Sequence, residues 1–111
     1  KVVVDCNRFI NNQSGGNSTL GFANNISGQG NFIINNIFIG NTSSLGSPVI
    51  GMYSIPQSAV HNTYILNNYI SSNTSPGKPC ISIGSSLTLV DTTFVDHYIE
   101  DNTFINNAKL V

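Results

Sequence analysis

Side chains able to do chemistry are sparse in this chain, and the densest group of them is Asp96, His97, Glu100 and Asp101. Two carboxylates on either side of a glycosidic bond can cleave a polysaccharide, which makes Asp96 and Glu100 the candidate catalytic pair. A simpler reading competes with this. Asp101 takes a turn position shared with Cys6, Asn35 and Asn67, while Asp96 and Glu100 have the strand parity of Tyr98 and can simply be solvated. Arg8, the only arginine, sits at the other end of the chain, too far away to assist proton abstraction. His61 and His97 lie seven and five residues before their nearest repeated Asn, so they would not stack into a metal site, and a surface position is expected for each. No phosphate loop, zinc spacing or Ser-His-Asp order occurs, so neither a cofactor nor a metal is expected.

These groups are carried by a pattern that occurs four times and aligns without a gap: VVDCNRFINN (3–12), FIINNIFIGN (32–41), YILNNYISSN (64–73) and YIEDNTFINN (98–107). Asn7, Asn36, Asn68 and Asn102 stand at its centre, and five residues later comes a second set, Asn12, Asn41, Asn73 and Asn107. The central Asn residues are 29, 32 and 34 residues apart, a period that marks a solenoid or related repeat architecture. One such unit cannot bury its apolar side alone, so units must stack.

Three residues before the central Asn lies Val4, Ile33, Ile65 or Ile99, and two after it lies Phe9, Phe38, Ile70 or Phe104. That odd separation would put the two on opposite faces of a straight strand. A bend at the Asn pair restores both to one side, and Asn suits the bend because it tolerates left-handed backbone and bonds locally. Eight residues beyond the second Asn come Leu20, Val49 and Ile81, and ten beyond it Phe22, Gly51 and Ile83. This predicts a third strand, entered through the turn-rich stretches QSGGNST, TSSLGSP and TSPGKP. The connection to the next copy grows from ANNISGQGN to MYSIPQSAVHNT to GSSLTLVDTTFVDH, so insertions collect at one corner.

A three-strand unit with Asn at a fixed corner resembles the right-handed parallel β-helix of the pectate-lyase-like superfamily, and the I-x-N-N-x-[IF] core resembles its parallel β-helix repeat. The F-x-x-N matches at Phe9, Phe22, Phe32, Phe38 and Phe104 are similar to those of chlamydial polymorphic outer-membrane proteins and of Asn-rich adhesin-like proteins from methanogens. Phage tailspikes share the same coil. The resemblance covers essentially the whole chain. It implies an all-β fold, with one β-solenoid domain over 1–111 and repeats beginning near 3, 32, 64 and 98. About three coils of three short strands are expected, together with an Asn ladder.

Composition agrees with a folded single domain: of 111 residues, 40% are hydrophobic and 8% charged, too apolar for a disordered polymer. A net charge of −1 provides no field for nucleic acid. No run approaches the roughly 20 apolar residues of a membrane span. Cys6 and Cys80 are too few for a disulfide framework and lie at least two layers apart, about 10 Å along the stack, so a buried thiol is expected for each. The N-x-[ST] sequons at Asn17, Asn25, Asn41 and Asn73 are candidate glycosylation sites and favour an extracellular or cell-surface location. No signal peptide is visible, and the chain opens inside a repeat, as a mature product or a piece of a longer protein would.

Val3, Phe32, Tyr64 and Tyr98 flank the first inward set, and Ile10, Ile39 and Ile105 flank the second, leaving two strands apolar on both faces. Either the facing is off by one at the bend, or these stripes pack against other chains. Phe32, Tyr64 and Tyr98 form the candidate packing face, and Tyr64, Tyr69 and Tyr98 are alternatively candidates for stacking on sugar rings. The end repeats carry no evident cap, and end-on stacking of such units gives an open polymer. Two functions are therefore expected. The first is a non-enzymatic structural β-solenoid of a sheath, filament, surface layer or adhesin, which associates with itself. The second is a glycan-binding or polysaccharide-cleaving module, such as a tailspike fragment on a virion surface.

Layers about 4.8 Å apart would place the central Asn residues in file, each amide bonded to the next. Asn68→Ala is then expected to cost about 1–3 kcal/mol by stranding its neighbours' hydrogen bonds. An unchanged thermal melting curve would tell against such a row.

Overall fold

The residue in front of each repeated Asn sets the path of the chain. Cys6, Asn35, Asn67 and Asp101 precede the central set, with φ between 54° and 57°, and Asn11, Gly40, Ser72 and Asn106 precede the second set, with φ between 52° and 64°. One left-handed residue both turns the backbone and uses up one step of the in–out alternation. Ile33 and Phe38, five residues apart, consequently both face inward and are fully buried, with Asn36 inside the bend between them. The computed structural model describes residues 1–15, 18–23, 30–43, 49–54, 63–85 and 97–108.

Between these corners run short strands rich in Ile, Val, Phe, Tyr and Thr, the residues that pack well on a pleated surface. They are β1 (Val2–Asp5), β2 (Arg8–Ile10), β3 (Gln13–Ser14), β4 (Leu20–Ala23), β5 (Asn31–Ile34), β6 (Ile37–Ile39) and β7 (Thr42–Ser43), followed by β8 (Ile50–Ser54), β9 (Thr63–Leu66), β10 (Tyr69–Ser71), β11 (Ile81–Ser85), β12 (His97–Glu100) and β13 (Thr103–Ile105). The fold is all-β. Each strand pairs in parallel with the same position of the next repeat, giving a first sheet β1-β5-β9-β12 and a second β2-β6-β10-β13. The third sheet pairs β3 with β7 and is extended by a bridge from Thr42 to Thr74; the fourth is β4-β8-β11. No helix among the described residues is long and apolar enough to cross a membrane.

Parallel, unshifted pairing places like residues over like. Val4, Ile33, Ile65 and Ile99 form one inward column, and Phe9, Phe38, Ile70 and Phe104 form another. The Phe9 and Phe38 rings stack at 4.6 Å. Burying each of these side chains contributes roughly 1.5–3 kcal/mol. The middle two repeats gain most: Ile33, Phe38, Ile65 and Ile70 are fully buried, whereas Phe9, Ile99 and Phe104 are only partly so.

Three expectations need correction. The third inward column is Leu20, Ile50 and Ile81, not Leu20, Val49 and Ile81, and at backbone level Phe22 and Ile83 align with Met52 instead of Gly51. The middle repeat has one more residue between its second Asn and this strand, which shifts the count; Val49 stays fully buried beside the column. The stretches read as turns begin with a fourth short strand, β3 or β7. His97 is half-buried and shares the inward column of Val2, Asn31 and Thr63, so it is not simply a surface histidine. The lengthening connections fall on 24–29, 55–62 and 86–96, and His61 with them, outside the described residues.

A side chain in left-handed backbone costs about 1–2 kcal/mol, and glycine avoids that cost. At φ +64°, a Cβ on Gly40 would also collide with the Asn11 side-chain oxygen. Gly40→Ala is expected to destabilise the chain by about 1–2 kcal/mol. Ser72→Gly is expected to stabilise it by about 0.5–1 kcal/mol, both read from denaturant midpoints.

Candidate functional site

At each corner the chain leaves one sheet for the next, and its backbone groups need partners there. The buried asparagines supply them. Oδ1 of Asn36, Asn68 and Asn102 accepts the backbone N–H of Asn7, Asn36 and Asn68 respectively, each at 2.9 Å. Nδ2 of Asn36 and of Asn68 also donates to the Oδ1 of the following repeat, at 3.1 and 2.9 Å. The same nitrogens reach back to carbonyls of the preceding repeat, Asn36 to Val4, Asn68 to Ile33 and Asn102 to Ile65, at 2.7–2.9 Å. Asn12, Asn41, Asn73 and Asn107 follow the same rule, with Oδ1 of Asn41, Asn73 and Asn107 accepting from the preceding repeat and Nδ2 of those three donating to Phe9, Phe38 and Ile70 carbonyls. Two rows of amides, all pointing one way, therefore run along the stack.

This arrangement decides the fate of two sequons. Asn41 and Asn73 are 0% and 1% exposed, and the nitrogen a glycan would attach to is already donating inside the fold. As glycosylation sites in the folded chain they are ruled out by burial. Asn12-Gln13-Ser14, in the same second row, also matches the pattern. Ser43 and Ser75 are buried, and Ser14 stacks on Ser43. The sequons at Asn12, Asn41 and Asn73 thus arise from an Asn row followed two residues on by an inward Ser column. Asn17 and Asn25 lie outside the described residues.

A third, exposed row runs over the first corner. Asn67 Nδ2 donates to Asn35 Oδ1 at 2.8 Å, and Asn35 Nδ2 donates to Asp5 Oδ1 at 2.9 Å. The Cys6 thiol donates to the same carboxylate oxygen at 3.1 Å. Cys6 is exposed, contrary to the expected buried thiol, while Cys80 is buried. The Asn35 bond, then the Cys6 bond, holds the Asp5 carboxyl below its usual range. That same bond raises the Cys6 thiol, which makes it a poorer nucleophile at neutral pH.

Glu100 is exposed at the end of β12, and Asp101 is exposed in the left-handed corner beside it. Glu100 shares an outward column with Leu66, Ile34 and Asp5. The two carboxylates of that column stand three layers apart, about 14 Å, beyond the roughly 5–9.5 Å that flanks a glycosidic bond. Asp96 lies outside the described residues. Among the described residues no three of His, Cys, Asp or Glu are grouped so as to hold a metal ion.

Phe32, Tyr64 and Tyr98 point outward and stack on one another, with centroids 4.5 and 4.9 Å apart and planes within 4° of parallel. Lys1 Nζ lies 4.8 Å from the Phe32 ring centre. A pyranose packs on a ring face, and here the faces of Tyr64 are taken by Phe32 and Tyr98. Tyr64 thus offers mainly its edge and hydroxyl, while Tyr98, at the end of the row, has one face stacked on Tyr64 and is 37% exposed. Tyr69 points outward from the second sheet, in a column with Ile37 and Thr103.

Compared with known proteins, the chain matches no family model, no curated protein and no solved structure.

A carboxyl whose folded pKa is lowered stabilises the fold above its ordinary pKa, and that contribution is lost as pH falls through the lowered value. Asn35→Ala removes the largest cause for Asp5. Its carboxyl pKa, followed by NMR titration, is expected to move up toward the ordinary carboxylate value; an unmoved titration would rule out the bond in solution.

Proposed function

We propose that this chain is a structural β-solenoid of an extracellular or cell-surface assembly, a sheath, filament, surface layer or adhesin, that works by stacking and by lateral self-association. In this reading the parallel sheets wind as a right-handed single-stranded β-helix of about three coils. The observation that carries it is apolarity on the outer faces of two sheets whose inner faces already form the core. The first sheet turns Val3, Phe32, Ile34, Tyr64, Leu66 and Tyr98 outward, and the second turns Ile10, Ile37, Ile39, Tyr69 and Ile105 outward. Val3 is 53% exposed and Ile105 40%. Parallel sheets of this composition are normally covered on both faces, and contiguous exposed apolar patches mark interaction surfaces.

Charge supports the same reading. Sheets that stay apart present charged side chains, lysine above all, on exposed strands. In the described parts of the middle two repeats Lys78 is the only charged residue, and it lies outside the strands. Unshifted pairing in the first two sheets repeats the same outward positions in each layer, so copies lying side by side on those sheets would meet in register.

Size-exclusion chromatography with light scattering, followed by electron microscopy, tests this. The chain is expected to form higher-order particles that Leu66→Glu or Ile39→Glu disperses without loss of the β circular-dichroism signal. Dispersed wild-type monomers that release reducing sugar from a polysaccharide, and lose that activity on Glu100→Gln, would overturn the proposal.

A further inference from the structure

We propose that Tyr64 and Tyr98 form a site of oxidative cross-linking, at which a one-electron oxidant of the peroxidase type, using hydrogen peroxide, joins the two rings into a dityrosine within one chain. It goes beyond self-association and does not depend on it.

The geometry comes from the sheet. Tyr64 and Tyr98 are direct partners in the parallel pairing of β9 with β12, and both project outward. Their rings lie 4.9 Å apart, centre to centre, with planes 3° from parallel. Phenoxyl radicals couple through ring carbons ortho to the oxygen, and the new bond forms along the normal to each ring. Face-to-face stacking therefore aims the two reactive carbons at one another, and proximity of this kind replaces a diffusional encounter. Tyr98 is 37% exposed, which gives an oxidant access and leaves room for the rings to twist once joined. Phe32 covers the other face of Tyr64 and has no hydroxyl to oxidise.

The step balances. Each phenol loses one electron and its hydroxyl proton; the two radicals couple carbon to carbon, and the hydrogens on the joined carbons move to the oxygens, restoring both phenols. Two hydrogens leave the protein, and one hydrogen peroxide becomes two waters. The product ties the third repeat to the fourth across residues 65–97, and closing a loop of that length restricts the unfolded chain.

Tyr69 provides the internal comparison. It is 38% exposed, about as open as Tyr98, but its column neighbours are Ile37 and Thr103. With no tyrosine in its column, oxidation there is expected to join separate chains.

The test is to oxidise the full chain with peroxidase and hydrogen peroxide at several protein concentrations, with Cys6 alkylated so that its thiol does not reduce the radicals. The expected product is a monomer lighter by two hydrogens, with dityrosine fluorescence and a proteolytic fragment joining Tyr64 to Tyr98. Its yield should not change with protein concentration, and its unfolding midpoint should be raised. Tyr64→Phe and Tyr98→Phe keep the stacked ring and should each abolish this product, Tyr69→Phe should leave it intact, and denaturant should suppress it. A monomer fraction without the link, or a link that survives Tyr98→Phe, would overturn the assignment.

Discussion

The structure depends on supplying hydrogen bonds to backbone that has left one sheet and not yet entered the next. Buried N–H and C=O groups without partners each cost about 1–3 kcal/mol, and every repeat contains two such bends. Asparagine solves the problem because its amide carries both a donor and an acceptor on a short arm. Asn36 and Asn68 each accept from the preceding repeat's N–H while donating to its carbonyl, at 1% and 2% exposure. An ionised aspartate has no proton to donate, and a serine hydroxyl has only one, on a shorter arm, where the amide offers two N–H groups and a separate oxygen. The left-handed residue that precedes each one is the geometric half of the same solution, since it aims the Asn side chain inward.

Given those corners, the rest of the packing follows from repetition. Identical spacing within each ten-residue pattern forces like residues into columns, so the core consists of aliphatic and aromatic files and needs no interlocking of unlike shapes. Stability is consequently graded along the stack. Columns in the second and third repeats are covered above and below and become fully buried, while Phe9, Ile99 and Phe104 are covered on one side. The varying interval between central asparagines, 29, 32 and 34 residues, is absorbed outside the ten-residue pattern, by one extra residue ahead of Ile50 and by the unequal connections after β4, β8 and β11.

The corners and the first two columns were legible in the sequence because the ten-residue pattern recurs without a gap and because only a bend reconciles Ile33 with Phe38. The third column was not: a single extra residue in the middle linker moved Ile50 into the place assigned to Val49, and linkers carry no periodic signal to correct the count. For His97 the distance from Asn102 carries no information on facing, whereas its parity with Ile99 does. The sequons illustrate a different failure. Asn-Thr-Ser at 41–43 and 73–75 fits an acceptor pattern letter by letter, yet the row that makes Asn indispensable also buries it. The exposed row from Asn67 through Asn35 to Asp5 had a visible clue in the paired asparagines, but its direction depends on which amide atom faces which repeat.

That shared direction gives the molecule an electrical polarity along its stack. In both buried rows the side-chain oxygen accepts from the preceding repeat, while the nitrogen donates both back to a carbonyl of that repeat and forward to the amide oxygen of the following one, so the oxygens share one direction along the stack. The amide dipoles therefore add, as peptide dipoles do along a helix. The oxygen-tipped end carries partial negative charge and the nitrogen-tipped end partial positive charge. Lys1 and Arg8 stand at the former, with Asp5 the exception among them, and Glu100 and Asp101 stand at the latter. The few formal charges of the described repeats thus mostly offset a field that the neutral asparagines generate.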